Sequence, residues 1–135
     1  MRRSILYLLG SLVILACGET TAPERPELGT WRLQTVDGKS LPFTLDEPDV
    51  DKYELTGETI TLVASGRVAM ITSLRVTDHG NVSLESVPDA GTFTVNGSTV
   101  MFRFDSDGSA PTATVSGDTM TLGDIGLTFV YRRDR

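Results

Sequence analysis

The sequence predicts an all-β domain, an antiparallel up-and-down meander of about eight to ten short strands that closes into a small barrel. From Gly29 onward, apolar side chains alternate with polar ones, most often threonine, as in half-exposed strands. Turn residues interrupt this alternation at short intervals, and no segment beyond the N-terminal apolar run has a helical period. Because an open meander of this size would leave long unpaired edges, the strands are expected either to close into a barrel or to fold into a sandwich, and closure into a barrel is favoured.

The strands are predicted from this alternation in chain order. The first strand places Trp31, Leu33 and Thr35 on one face and ends at the turn Asp37-Gly38. The later predicted strands also alternate, with mostly apolar residues at every second position. In chain order, the residues on this face of each strand are Ile60 and Leu62; Val68, Met70, Thr72, Leu74 and Val76; Val82 and Leu84; Phe93 and Val95; Val100, Phe102 and Phe104; Ala113 and Val115; Met120 and Leu122; and Leu127, Phe129 and Tyr131. Asn96-Gly97 is the strongest hairpin signal, because both residues tolerate the positive φ of two-residue turns.

The N-terminal segment has the pattern of a secretory signal. Arg2 and Arg3 precede an apolar run from Ile5 to Ala16. As a helix this run would be about 18 Å long, well short of the ~30 Å hydrocarbon core of a bilayer. We therefore expect an export signal and no transmembrane helix. General secretion is expected, although the two arginines also weakly resemble a twin-arginine signal.

The end of this run resembles the bacterial lipobox. Its residues are Ile14-Leu15-Ala16-Cys17, an apolar triplet that ends in a small residue before the cysteine. The resemblance implies cleavage after Ala16 and acylation of Cys17, which would anchor the protein to the bacterial cell envelope. Gly18 follows the cysteine and leaves sorting to an outer membrane open, if the host has one. The alternative is an ordinary signal peptide with an incidental cysteine near its end.

These features divide the chain into three predicted parts. Residues 1–16 form the lipoprotein signal peptide, residues 17–28 a lipidated polar tether with two prolines, and residues 29–135 the barrel domain. The single cysteine excludes an intramolecular disulfide and a cysteine-based zinc site. The net charge of -6 disfavours a nucleic-acid partner, which would require a clustered basic surface.

No residue pattern indicates catalysis, a metal site or a cofactor, and we expect a protein that is not an enzyme. The only histidine, His79, lies in a segment with the composition of a hairpin turn. Acidic residues occur in two groups, but neither continues into a twelve-residue calcium loop, and solvated loop positions are expected for Asp46, Glu47, Asp49, Asp51, Asp105 and Asp107.

Both ends of the domain resemble the small lipocalin-like barrels of bacterial lipoproteins. The first strand opens with Gly29-Thr30-Trp31, and Leu41-Pro42 follows the first turn. The chain closes with the aromatic and basic strand Phe129–Arg133. The resemblance implies that Trp31 packs at the closed end of the barrel beneath an arginine, either Arg132 or Arg133, with Arg132 the preferred partner.

The candidate ligand site is the interior of this barrel. The residues expected to point inward either fill it or line an apolar pocket, and they are Trp31, Leu33, Met70, Leu74, Phe93, Phe102, Phe104, Phe129 and Tyr131. A pocket would indicate non-covalent binding of a small apolar ligand. A filled interior would indicate a protein-protein interaction or structural module of the envelope that uses its loops or an exposed edge strand. A cavity above roughly 300 Å³ would favour the first function.

Overall fold

The computed structural model describes residues 24–135, and the predicted signal peptide and Cys17 lie outside the described residues. The described chain forms ten strands, which are β1 (Gly29–Val36), β2 (Lys39–Ser40), β3 (Phe43–Leu45), β4 (Lys52–Leu62), β5 (Arg67–Asp78), β6 (Asn81–Asn96), β7 (Thr99–Phe104), β8 (Thr112–Ser116), β9 (Thr119–Asp124) and β10 (Leu127–Arg133). Within residues 24–135, no helix is both long and apolar enough to cross a membrane.

Eight of the strands form a closed antiparallel barrel, which confirms the predicted fold class. Each strand from β4 to β10 pairs with its sequence neighbour. The first strand, β1, closes the barrel because it pairs with β10 on one side and β4 on the other. Trp31 thus lies opposite both Arg133 and Ile60. The short strands β2 and β3 extend the pairing beside β1 and β4.

The hairpins turn where the sequence supplies residues that tolerate positive φ. At the β5–β6 turn, His79 has a φ of 48° and Gly80 a φ of 78°. Two consecutive positive values define the type of turn that matches the twist of antiparallel strands. The predicted hairpin joins β6 to β7, but its two turn residues are Gly97 and Ser98, because Asn96 pairs with Thr99 and does not take a positive φ. The imidazole of His79 is 88% exposed and pairs with Asp78 at 2.7 Å, so this residue occupies the turn that its neighbours predict.

The barrel interior is a continuous apolar core. Eight of the nine residues predicted to face inward are buried, and the ninth, Met70, is partly buried and packs against them. The alternation holds along β7, where Val100, Phe102 and Phe104 are buried and the residues between them are exposed. It fails at the end of β1, where a register shift between Leu33 and Thr35 turns Val36 inward instead of Thr35.

The segment before β1 packs across the end of the barrel at Trp31, which we call the closed end. The indole nitrogen of Trp31 donates a hydrogen bond to the carbonyl of Glu27 at 2.9 Å. The guanidinium of Arg133 lies over the indole and donates hydrogen bonds to the carbonyls of Leu28 and Pro26. The last residues of the predicted tether are thus bound to the barrel.

The prediction of Arg132 as the partner of Trp31 is wrong, and Arg133 makes the contact. Side chains alternate along a strand, so Arg133 shares the inward face with Phe129 and Tyr131. Arg132 lies between them in the alternation and is exposed. Its backbone partner across the β1–β10 pair is Arg32, which also faces outward.

Candidate ligand cavity

A cavity of about 150 Å³ lies in the barrel, away from the closed end. It extends to the end where β7 and β9 finish and β10 begins, and it is partly open to solvent there. We call this space the cavity. Its walls combine apolar side chains with carboxylates and hydroxyls, and the lining residues are Glu58, Met70, Asp89, Phe104, Asp107, Ser109, Pro111, Leu122, Asp124, Phe129 and Tyr131.

The centre of the cavity wall is a hydrogen-bonded cluster on three strands. The hydroxyl of Tyr131 on β10 donates a hydrogen bond to Oε1 of Glu58 on β4. Thr72 of β5 donates to Oε2 of the same carboxylate at 2.7 Å. Glu58 and Thr72 face each other across the β4–β5 pair, so the sheet register places both side chains on the interior face.

Burial sets the protonation of this cluster. Desolvation inside the barrel raises the pKa of Glu58, and the nearby charge of Asp124 adds to the rise. The hydrogen bonds from Tyr131 and Thr72 stabilise the carboxylate and act in the opposite direction. Burial also raises the pKa of Tyr131 well above its ordinary value, and the charge of Glu58 acts in the same direction. The Tyr131 hydroxyl therefore stays protonated and acts as a donor.

Further carboxylates line the cavity toward its opening. Asp89 accepts hydrogen bonds from its neighbouring backbone amide at Ala90 and from the Ser106 hydroxyl, at 2.8 and 2.6 Å. Asp107 accepts from the backbone amide of Ser109 at 2.8 Å. This backbone hydrogen bond lowers the pKa of Asp107, which is therefore ionised at neutral pH. The opening of the cavity is therefore lined by acidic side chains.

The nine predicted interior residues divide between the cavity and the filled part of the barrel. Met70, Phe104, Phe129 and Tyr131 line the cavity. The remaining five belong to the packed core, and they are Trp31, Leu33, Leu74, Phe93 and Phe102. The volume of about 150 Å³ is half of the roughly 300 Å³ that marks an ordinary ligand pocket. Most of the interior is thus packed.

Glu58 was not among the residues predicted to face the interior, although the sequence contained one signal of its position. Ile60 and Leu62 form the predicted inward face of β4, and Glu58 precedes Ile60 by two positions. With a side-chain period of two, it lies on that inward face. Because Glu58 is acidic, its position was interpreted as one on the exposed face of the strand.

A second acidic group on β4, Glu54, lies on the outer face of the sheet because of a bulge. The register shifts between Leu55 and Gly57, which reverses the alternation. Arg75 makes two hydrogen bonds to the Glu54 carboxylate, at 2.7 and 3.0 Å, and Lys52 lies 2.8 Å from it. These partners, rather than the protein interior, cover the carboxylate, and their hydrogen bonds lower its pKa to about 2.

The first half of β6 forms an unpaired sheet edge. Residues Asn81–Pro88, which we call the β6 edge, pair with β5 alone, because the pairing with β7 begins at Gly91. On the side of β6 that faces β7, the backbone carbonyl of Ala90 accepts a hydrogen bond from the backbone amide of Asp105. The pairing of β5 with β6 has no register shift. The backbone groups of the even-numbered residues therefore point away from β5. Val82 and Leu84 on this edge are 62% and 79% exposed.

Within residues 24–135, no group of three or more histidine, cysteine or acidic side chains is placed to hold a metal ion. Neither a protein-family model nor a curated protein matches the chain. Its function is therefore inferred from the geometry of the cavity and of the β6 edge.

Proposed function

We propose that this is a lipid-anchored, non-catalytic protein of the bacterial cell envelope whose barrel binds a small ligand. Although the cavity is smaller than the roughly 300 Å³ of an ordinary ligand pocket, it carries this proposal, because it combines apolar walls with a few polar groups that fix orientation, as ligand sites do. Met70 and Phe129 offer apolar contacts, and the hydrogen-bonded pair of Glu58 and Tyr131 offers polar ones.

The volume limits the size of the ligand. A cavity of about 150 Å³ is the size that accommodates benzene in a protein core. The proposed ligand is therefore a molecule of benzene-like dimensions, with any further atoms extending through the open side. A long acyl chain does not fit in this space.

Native mass spectrometry of the full-length protein, extracted from the envelope in mild detergent, tests the binding proposal. We expect a small molecule to co-purify with the wild-type chain and to be lost from Met70→Phe, which fills part of the cavity. Met101→Phe is the matched control, because Met101 is exposed on the outer face of β7. Equal retention by both variants, or no bound molecule under gentle conditions, would contradict the proposal.

The anchor is proposed from the lipobox-like residues that end at Cys17. Acylation there would hold the protein at a membrane, in the outer membrane if the host has one, because two or more acyl chains bind a bilayer stably. Metabolic labelling with palmitate tests this proposal. We expect label in the wild-type protein and none in Cys17→Ala, and label that persists in the variant would rule out this attachment site.

A second function, as an interaction module, is supported by the β6 edge. Exposed sheet edges bind extended segments of other proteins by adding a strand. The filled core and the exposed Val82 and Leu84 favour this function. Cross-linking in intact cells tests it: we expect a discrete adduct that is lost in Leu84→Lys and retained in Met101→Lys. An adduct that both variants retain would exclude the β6 edge as the contact.

A further inference from the structure

We infer that the ligand of the cavity carries a protonated amine on a small apolar body, with the ammonium group bound at Glu58 and Asp124. The inference rests on the proposed function, because it names the chemical class of ligand for the same cavity. It is drawn from the charges, the hydrogen-bonding capacity and the walls of this space.

All the charged side chains that line the cavity are acidic. Four carboxylate residues line the cavity, namely Glu58, Asp89, Asp107 and Asp124, and its lining includes no lysine, arginine or histidine. Arg75, on the same strand as Met70, binds Glu54 on the outer face of the sheet. An anionic ligand would be repelled by this lining, and a neutral ligand would leave its negative charge uncompensated.

The hydrogen-bonding capacity of the cavity wall is mainly that of an acceptor. Each oxygen of the Glu58 carboxylate accepts one hydrogen bond, Oε1 from the Tyr131 hydroxyl and Oε2 from the Thr72 hydroxyl. A carboxylate oxygen has two lone pairs, so each keeps one for a further donor. Tyr131 has already committed its only proton to Glu58. An ammonium group, with three donors and no acceptor, complements this arrangement.

The remaining walls suit an apolar body next to the amine. Met70, Phe104, Leu122 and Phe129 present hydrocarbon and aromatic surface to the same space. Aromatic rings also attract cations through the negative potential of their faces. The cavity of about 150 Å³ holds one ring or a short branched chain beside the ammonium group.

A series of ligands with one shape and different charge tests this inference. Benzylamine, benzyl alcohol, toluene and benzoate are titrated into the full-length protein in detergent, and binding is followed by calorimetry. We expect benzylamine to bind at least about tenfold more tightly than benzyl alcohol, because its hydrogen bonds to carboxylates are charge-assisted. Benzoate should show no binding.

The possible failures are distinguishable. If benzyl alcohol or toluene binds as tightly as benzylamine, the amine inference is overturned while the proposed binding function stands. If benzoate binds best, the sign of the charge is wrong. If none of the four binds, both the inference and the proposed small-ligand function are overturned.

Variants locate the effect at the cavity. In Glu58→Gln, we expect the preference for benzylamine over benzyl alcohol to fall several-fold while the affinity for benzyl alcohol stays nearly constant. Glu47→Gln, which changes an exposed loop carboxylate outside the cavity, should keep the preference. If Glu58→Gln fails to fold, Asp124→Asn provides the same comparison. An unchanged preference in the folded cavity variants would overturn the assignment.

Discussion

Tyr131 and Glu58, which lie on strands separated by β1, are joined inside the barrel by a hydrogen bond from the phenol to the carboxylate. Together with Thr72, the tyrosine supplies the hydroxyl groups that compensate a partly buried acidic side chain. The pair therefore couples the stability of the barrel to the chemistry of its cavity. Both properties can be measured separately by changing one partner at a time.

Removal of the Tyr131 hydroxyl is expected to destabilise the protein. In Tyr131→Phe, Glu58 loses one of its two hydroxyl donors while the ring still fills the core. We expect the free energy of unfolding at neutral pH to fall by roughly 1 to 3 kcal/mol, because the partly buried carboxylate of Glu58 is left with one donor fewer. Urea denaturation measures the change. Tyr53→Phe, at a half-buried position, is the control, and an equal loss in both variants would show that the pairing with Glu58 is not the cause.

The raised pKa of Glu58 predicts a pH-dependent effect of its removal. The folded state holds the proton more tightly than the unfolded state, so the contribution of Glu58 to stability is greatest below its unfolded pKa of about 4.5 and is lost as the pH rises through the raised value. Stability measured without ligand should therefore shift in favour of Glu58→Gln, relative to wild type, between about pH 4 and pH 7. A difference that stays constant over this range would contradict the raised pKa.

The opposite sign is expected for Glu54. Its pKa of about 2 lies below the ordinary value of 4.5, so its contribution to stability is present above pH 4.5 and is lost as the pH falls toward 2. Removing the largest cause, the Arg75 hydrogen bonds, should raise the pKa of Glu54 in Arg75→Gln. Carboxyl chemical shifts in an NMR titration report this value directly. Arg32→Gln is the control, because Arg32 pairs with Asp134 rather than Glu54.

A side chain at Gly91 is expected to disrupt the β6–β7 pair. A Cβ atom at this position would lie 2.0 Å from the carbonyl oxygen of Arg103 and 2.9 Å from the Cα of Phe104, and both of these are backbone atoms. Gly91→Ala should therefore lower the free energy of unfolding by roughly 1 to 3 kcal/mol or more. Gly123→Ala in β9 meets no atom within 4 Å and should change it by less than about 0.5 kcal/mol. Denaturation measures both changes. Equally small changes in the free energy of unfolding for Gly91→Ala and Gly123→Ala would show that the β6–β7 backbone accommodates the added Cβ atom without a cost.

The two arginines that end β10 are expected to differ. Arg133→Met removes the stacking on Trp31, at 4.4 Å from the ring centroid, and the bonds to the carbonyls of Pro26 and Leu28. We expect a loss of roughly 1 to 3 kcal/mol. Arg132→Met changes an exposed side chain and should stay within about 0.5 kcal/mol of wild type. Thermal unfolding of both variants measures the difference. A larger loss of stability in Arg132→Met than in Arg133→Met would contradict the assignment of Arg133 as the partner of Trp31.

The alternation of side chains made the barrel predictable, and interruptions of that alternation limited the prediction. Periodicity and turn residues place β7 and the existence of the β6–β7 hairpin correctly, because each depends only on local sequence, while the turn itself lies one residue later than predicted. Register shifts are set by the neighbouring strand, so the inward turn of Val36 and the outward position of Glu54 were not predictable from one strand. The cavity depends on how side chains from many strands fill one space, which no local pattern specifies.

The contacts of Arg133 and Trp31 with the preceding segment also determine which way the barrel faces. Because Pro26–Leu28 lie across the closed end, the chain enters the domain on the side opposite the cavity opening. In a protein held by acyl chains at Cys17, the bilayer would then lie beneath the sealed side. The ligand would reach the cavity from the aqueous compartment, and extraction of a lipid from the same membrane would require the whole domain to turn over.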